Sequence, residues 1–200
     1  MRLFQNSGNL LADEMEVYHT SINDVDEKIF ADYFKKEFEK SFEEKNLTFE
    51  QALRAKRVLR NNQLTLSGLL FFGKEPQSVK PAFTIKAVSF FGNDIEANQY
   101  KSKPKDFEGT IPELFNKAME FLMGNLDYIQ SGESFNAQGK LEISKVALEE
   151  LLQNALVHRD YFKNSPIRLL IFDNRIDALQ LPPKYVQVFL GYAKKIVAAV

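Results

Sequence analysis

Glu150, Asn154 and His158 follow one another at i, i+4 and i+8, so on a helix they share one stripe. A carboxylate and a carboxamide one turn apart can divide a hydrolytic task, the amide oxygen ligating Mg²⁺ while the carboxylate orients or deprotonates a water. The pair suits metal-assisted cleavage of a phosphoanhydride. The same spacing also describes the solvated polar edge of an amphipathic helix, and spacing alone leaves both readings open. The residues that follow are similarly double: His158 and Arg159 can touch a nucleotide phosphate, or Arg159 and Asp160 can cap the helix end and anchor the next loop.

A second candidate is basic. Arg54, Lys56, Arg57 and Arg60 lie on the outer face of a helix predicted over 48–60, followed by Asn61-Asn62 and another short helix. That is loosely the shape of a helix-turn-helix or winged-helix reader, with these side chains on DNA phosphates. Alternatively the four charges pair with Glu37, Glu39, Glu43 and Glu44 across a helical hairpin. Lys101, Lys103 and Lys105 read as a solvated loop, and the lone His19 as structural or exposed.

The elements that must position these groups can be read from capping signals and period. Asp24 to Glu27 resembles a capping box, and Phe30, Phe34, Phe38 and Phe42 recur every fourth residue, which predicts a helix over 24–44. Four-residue spacing advances about 40° per step, so the Phe stripe wraps around the helix and needs several elements to cover it. Thr48 to Gln51 opens the second helix. Thr65 caps a third through Phe72, with Gly73 expected as a left-handed stop before Pro76. A strand is predicted over 82–91, then a Lys-rich loop or second strand. Thr110 to Glu113 opens a helix with apolar Leu114, Ala118, Phe121, Leu122 and Leu126. Lys140 to Ile143 looks extended, Ser144 caps the helix carrying the Glu150 stripe to about Val157, and Ile167 to Phe172, apolar on both faces, is a central strand. The class is α+β (locally α/β): a helical region at 1–78, winged-helix-like in outline, and an α/β region at 79–200, with a weak boundary near Pro76 to Pro81.

Composition sets the bounds. The chain has 200 residues, 26 basic and 27 acidic side chains, no Cys, two His, and 18 Phe against no Trp. A formal charge of -1 supplies no global field toward nucleic acid or membrane, so any nucleic-acid contact must be local. The absence of Cys excludes disulfides, thiolate metal sites and a Cys nucleophile. Without a signal peptide or a long apolar run, a cytoplasmic protein is expected.

The segment Glu150-Leu151-Leu152-Gln153-Asn154-Ala155-Leu156-Val157-His158-Arg159-Asp160-Tyr161, with Ile171-Phe172-Asp173-Asn174-Arg175-Ile176 after it, resembles the bacterial RecG-related transcriptional regulators. The resemblance runs upstream through Leu64 to Lys74 and Phe107-Glu108-Gly109 and covers roughly 15–176. It implies a middle region followed by the start of a GHKL-like ATPase domain, the "helicase-related" label of such proteins notwithstanding. No P-loop motif is present. On that resemblance Glu150 is the water-activating base of the N-box, Asn154 the Mg²⁺ ligand, and Asp173 the reader of the adenine amino group, with His158 and Arg159 left as the candidate phosphate contacts named above. The family's Ser-Pro-Gly-like turn is replaced by Leu181-Pro182-Pro183, and 186–197 reads as a helix.

The resulting expectation is a truncated RecG-related regulator, lacking the Alba-like, schlafen-type module and the ATPase lid. Its ATP- and Mg²⁺-binding site would be partial and at most a weak ATPase, inactive in this chain. The alternative is a non-enzymatic DNA-binding or protein-interaction module working through the basic helix, as a monomer or homo-oligomer.

Overall fold

The computed structural model describes residues 11–95, 99–130, 139–180 and 184–189. It is an α+β protein that divides into two compact units. Unit 1 comprises Met1–Pro81 with Gly109–Pro112, and unit 2 comprises Ala82–Glu108 with Glu113–Val200. No helix among the described residues is long and apolar enough to cross a membrane.

Unit 1 is built on aromatic packing. Helix α1 (Glu27–Phe38) starts where the Asp26 carboxylate accepts from the Ile29 N–H at 3.0 Å, and it stops at Glu39, which turns left-handed at φ 56°. The helix expected over 24–44 is therefore shorter at both ends. Ser41 and Glu44 cap a separate turn through reciprocal bonds of 2.7 and 3.3 Å, and this reversal brings Phe42 back over the helix. The Phe stripe is covered as its wrap demanded: Phe30 packs edge-on against Phe49 and Phe72, and Phe42 against Phe34.

Helix α2 (Phe49–Ala55) begins with the Thr48/Gln51 capping box and ends well before residue 60. Arg57 is left-handed at φ 55°, and Leu59–Arg60 (β1) pairs with Gln63–Leu64 (β2) as a small hairpin. Its two turn residues, Asn61 and Asn62, both have positive φ, the conformation that a two-residue hairpin of matching twist requires and that Asn tolerates. Helix α3 (Leu66–Phe72) is capped by Thr65, and a short helix α4 (Pro76–Val79) follows. Gly73 is not left-handed, as expected from sequence, but extended at φ -70° and ψ 143°. Glycine is needed there for a different reason, since a Cβ would lie 2.5 Å from the Leu69 carbonyl oxygen.

Unit 2 holds a five-stranded sheet in the order β4-β3-β7-β8-β9, made of β3 (Ile85–Phe90), β4 (Tyr100–Phe107), β7 (Ile167–Ile171), β8 (Arg175–Gln180) and β9 (Lys184–Phe189). Only the β3–β7 pair is parallel. The apolar β7 lies at the centre, as its two-faced pattern predicts. The Lys-rich stretch is strand β4, an edge whose charges and Pro104 discourage pairing with other chains. Helix α5 (Ile111–Asn125) buries Leu114, Ala118, Phe121 and Leu122. A separate ribbon pairs β5 (Tyr128–Gln130) with β6 (Gly139–Leu141). Helix α6 (Lys145–Val157), capped by Ser144, buries Leu148, Leu151, Leu152, Ala155 and Leu156 and lies against β8 and β9. The helix expected over 186–197 is contradicted at its start. Residues 186–189 belong to β9, where alternating Val186 and Val188 suit a strand held to β8 across a six-residue register. The rest of that expectation lies outside the described residues.

Candidate functional site

The α6 stripe begins at the solvent and ends at the sheet. Glu150 is exposed, Asn154 half-buried, and His158 exposed at the C-cap, where its N–H donates to the Asn154 carbonyl at 3.0 Å. Asn154, His158 and Arg159 line one small cavity together with Ile167, Ala178, Leu179 and Gln180. Its volume of about 30 Å³ accommodates ordered water or a small ion. Nucleotide-sized ligands need some ten times more space. Among the described residues no group of three or more His, Asp or Glu is placed to hold a metal. The cavity itself is therefore too small for an adenine nucleotide, and Asn154 is the residue at its edge whose carboxamide could reach a cation.

Arg159 resolves its own ambiguity. The side chain is only 7% exposed, and its Nη2 donates to the Ser165 carbonyl at 2.7 Å and the Ala82 carbonyl at 3.1 Å. The guanidinium lies 4.2 Å above the Phe83 ring and 5.5 Å from that of Tyr161. Burial lowers its pKa to about 10, so it stays charged at neutral pH. Burial raises the Tyr161 hydroxyl in turn, and that hydroxyl donates to the Leu156 carbonyl at 2.7 Å. Arg159 thus anchors the loop after α6, with its Nη2 committed to two carbonyls. Gln180 completes the anchor by accepting from the Asp160 N–H at 2.8 Å and donating to the Asp160 carbonyl at 3.1 Å. Nothing in the sequence pattern marked Gln180, because its role depends on the β7–β8 register placing it beside Ile167.

Asp173 does not join this group. The cavity is at the Ile167 end of β7, whereas Asp173 lies past Ile171 at the opposite end of that strand, in the turn to β8. Its carboxylate accepts from the Gly92 N–H at 2.6 Å and pairs with Lys101 at 2.6 Å. The hydrogen bond from Lys101 holds its pKa below the usual carboxylate value, with the Gly92 N–H adding to the effect. Asp173 ties the β3–β4 connection to the β7–β8 turn and does not line the Asn154 cavity, so that cavity is not joined by the residue expected to read adenine.

The basic residues of unit 1 separate into two sets. Arg54, Arg57 and Arg60 line a groove of about 330 Å³ with Glu14, Leu59 and Thr65, while Lys56 lies elsewhere, over the Phe38 ring at 4.4 Å. Arg60 is on β1 and Arg57 in a left-handed turn, so the four do not form one helical face. They pair with acids as the alternative anticipated, though mostly with different ones. Lys56 meets Glu37 at 3.7 Å, Arg54 meets Glu50 at 2.7 Å, Arg60 meets Glu16 at 3.5 Å, and Arg57 meets Glu14. Glu14 and Glu16 were beyond reach of sequence reasoning because they precede the residues they meet by some 40 positions and return through the bridge between Glu16 and Thr65.

Comparison with known proteins adds fold information. A family model described as a domain of unknown function (DUF8451) matches residues 1–86. No curated protein matches the sequence. The chain is similar in fold to the DIP2311 protein of Corynebacterium diphtheriae, a structural-genomics target, with a TM-score of 0.58 and 20% identity over 88% of this chain. It spans about a third (34%) of that protein's length.

Proposed function

We propose that the chain is a portion of a RecG-related regulator that carries an incomplete, catalytically inactive GHKL-like nucleotide site. The supporting observation is the arrangement of α6 over the antiparallel β8 and β9, which turns the half-buried Asn154 toward the sheet and leaves Glu150 free at the surface one turn earlier. Asn154 has a carboxamide with which to ligate Mg²⁺, and Glu150 has an unburied carboxylate for a water. Among the described residues the cavity beside Asn154 is water-sized and supplies no base pocket, and Asp173 lies past the far end of β7.

Calorimetry with ATP and Mg²⁺ tests this reading. The expected result is weak, millimolar, Mg²⁺-dependent binding that is lost in Asn154→Ala, with no phosphate release. Turnover that falls in Glu150→Ala would contradict the inactive state, and complete absence of binding would contradict the partial site.

A second reading is favoured by the three-arginine groove of unit 1: a non-enzymatic module that binds an anionic partner such as DNA through Arg54, Arg57 and Arg60. Its signature is salt-dependent binding lost on substituting these arginines.

A further inference from the structure

We infer that the unit 1 groove is a site for a single phosphate monoester on a small molecule, which narrows the anion-binding reading of the same three arginines. The groove has the size of a small ligand site, about 330 Å³, and is lined by three guanidinium groups against one carboxylate. Each of the three arginines already meets one carboxylate, Glu50, Glu14 or Glu16, so a phosphate monoester, at close to −2 near neutral pH, binds by sharing or displacing those partners.

The donors are arranged for capture. Arg54 is fixed: its Nε and Nη2 both donate to Glu50 Oε1, and Nη2 also donates to the Asn62 side chain. Arg57 and Arg60 are held more loosely and are largely exposed. Arg57 uses Nη1 on Glu14, and Arg60 meets Glu16 through Nε at 3.5 Å. Each guanidinium has five N–H donors, and these contacts occupy Nη1 of Arg57 and Nε of Arg60, so donors remain on both for phosphate oxygens. Leu59 supplies an apolar wall for the organic part.

The surroundings argue against an extended polyanion. Residues 1–81 carry 12 basic and 13 acidic side chains, and Glu16 and Glu50 stand beside the arginines. A duplex presents a phosphate every 3.4 Å per strand and would meet this acidic rim, whereas one monoester needs only the groove.

Phenyl phosphate, titrated into the full chain by calorimetry alongside inorganic phosphate and a 20-bp DNA duplex, tests the inference. Phenyl phosphate is expected to bind below millimolar, at least fivefold tighter than inorganic phosphate. Arg57→Lys and Arg60→Ala are each expected to weaken it about tenfold, and Lys56→Ala less than twofold. Glu14→Gln removes the resident competitor and is expected to tighten binding severalfold, a gain that a misfolded variant would not give. Duplex binding with a steep salt slope but no monoester binding would overturn this inference and leave the DNA reading standing. Binding of neither overturns both. Monoester binding unchanged by the arginine and Glu14 variants overturns the placement in this groove.

Discussion

Replacing Thr65 with Ala removes the knot that holds the arginine groove together. The Thr65 side chain is 1% exposed, and its hydroxyl accepts from the Gly68 N–H at 3.0 Å while donating to the Arg57 carbonyl at 2.7 Å. The first bond is the N-cap of α3, whose loss costs about 1 kcal/mol. The second satisfies the carbonyl of a residue in left-handed backbone, and an unmet acceptor costs about 1–3 kcal/mol. Together the loss is about 2–4 kcal/mol, large against the marginal stability of a domain of this size. Urea unfolding followed by far-UV circular dichroism reads the global effect, and amide exchange at Gly68 reads the local one. Thr65→Ser keeps both bonds and is expected to stay within about 1 kcal/mol of the parent. If Thr65→Ala unfolds within 0.5 kcal/mol of the parent and Gly68 keeps its protection, the assignment of this hydroxyl as the link between α3 and the groove is wrong.

Other perturbations report on other parts of the molecule. Gly68→Ala would place a Cβ 2.3 Å from the Val58 carbonyl oxygen, backbone against backbone, so α3 must move off the hairpin; a fall in Tm of several degrees is expected by calorimetry. Lys101→Ala removes the main cause of the lowered Asp173 pKa, which should rise toward its ordinary value in an NMR titration. Because the folded pKa is the lower one, this carboxylate stabilises the fold above the unfolded pKa, and that contribution is lost as pH falls through the folded value. Arg159→Lys keeps charge but loses the planar group between two aromatic rings and one of its two carbonyl bonds, and is expected to cost about 1–3 kcal/mol in urea unfolding.

Much of this was legible in residue order where the signal is local. Capping residues Thr48, Thr65 and Ser144 mark helix starts because a short polar side chain satisfies an otherwise orphaned N–H, whatever lies further away. The centrality of β7 follows from its two apolar faces. Helix ends were less visible. Glu39 and Arg57 stop α1 and its successor in left-handed conformations that neither residue type advertises, and packing of Phe42 and the Asn61-Asn62 hairpin imposes them. Residues 186–189 carry a pattern compatible with helix or strand, and the partner strand β8 decides between them. At the candidate site, helical spacing correctly places Asn154 and His158 on one cavity, because i+4 geometry is intrinsic. The distance to Asp173 and the anchoring of Arg159 by Ser165 and Ala82 depend on how strands are laid side by side, which no local spacing encodes.

The proposed nucleotide site draws on the α6 stripe and not on Asp173. An NMR titration of the full chain with Mg²⁺ and ATP tests it directly, observing the Asn154 side-chain amide, the His158 ring and the Asp173 backbone amide. Saturable Mg²⁺-dependent shifts at Asn154 and His158, with Asp173 unmoved, are expected. Concerted shifts that include Asp173, or none at Asn154, would contradict it.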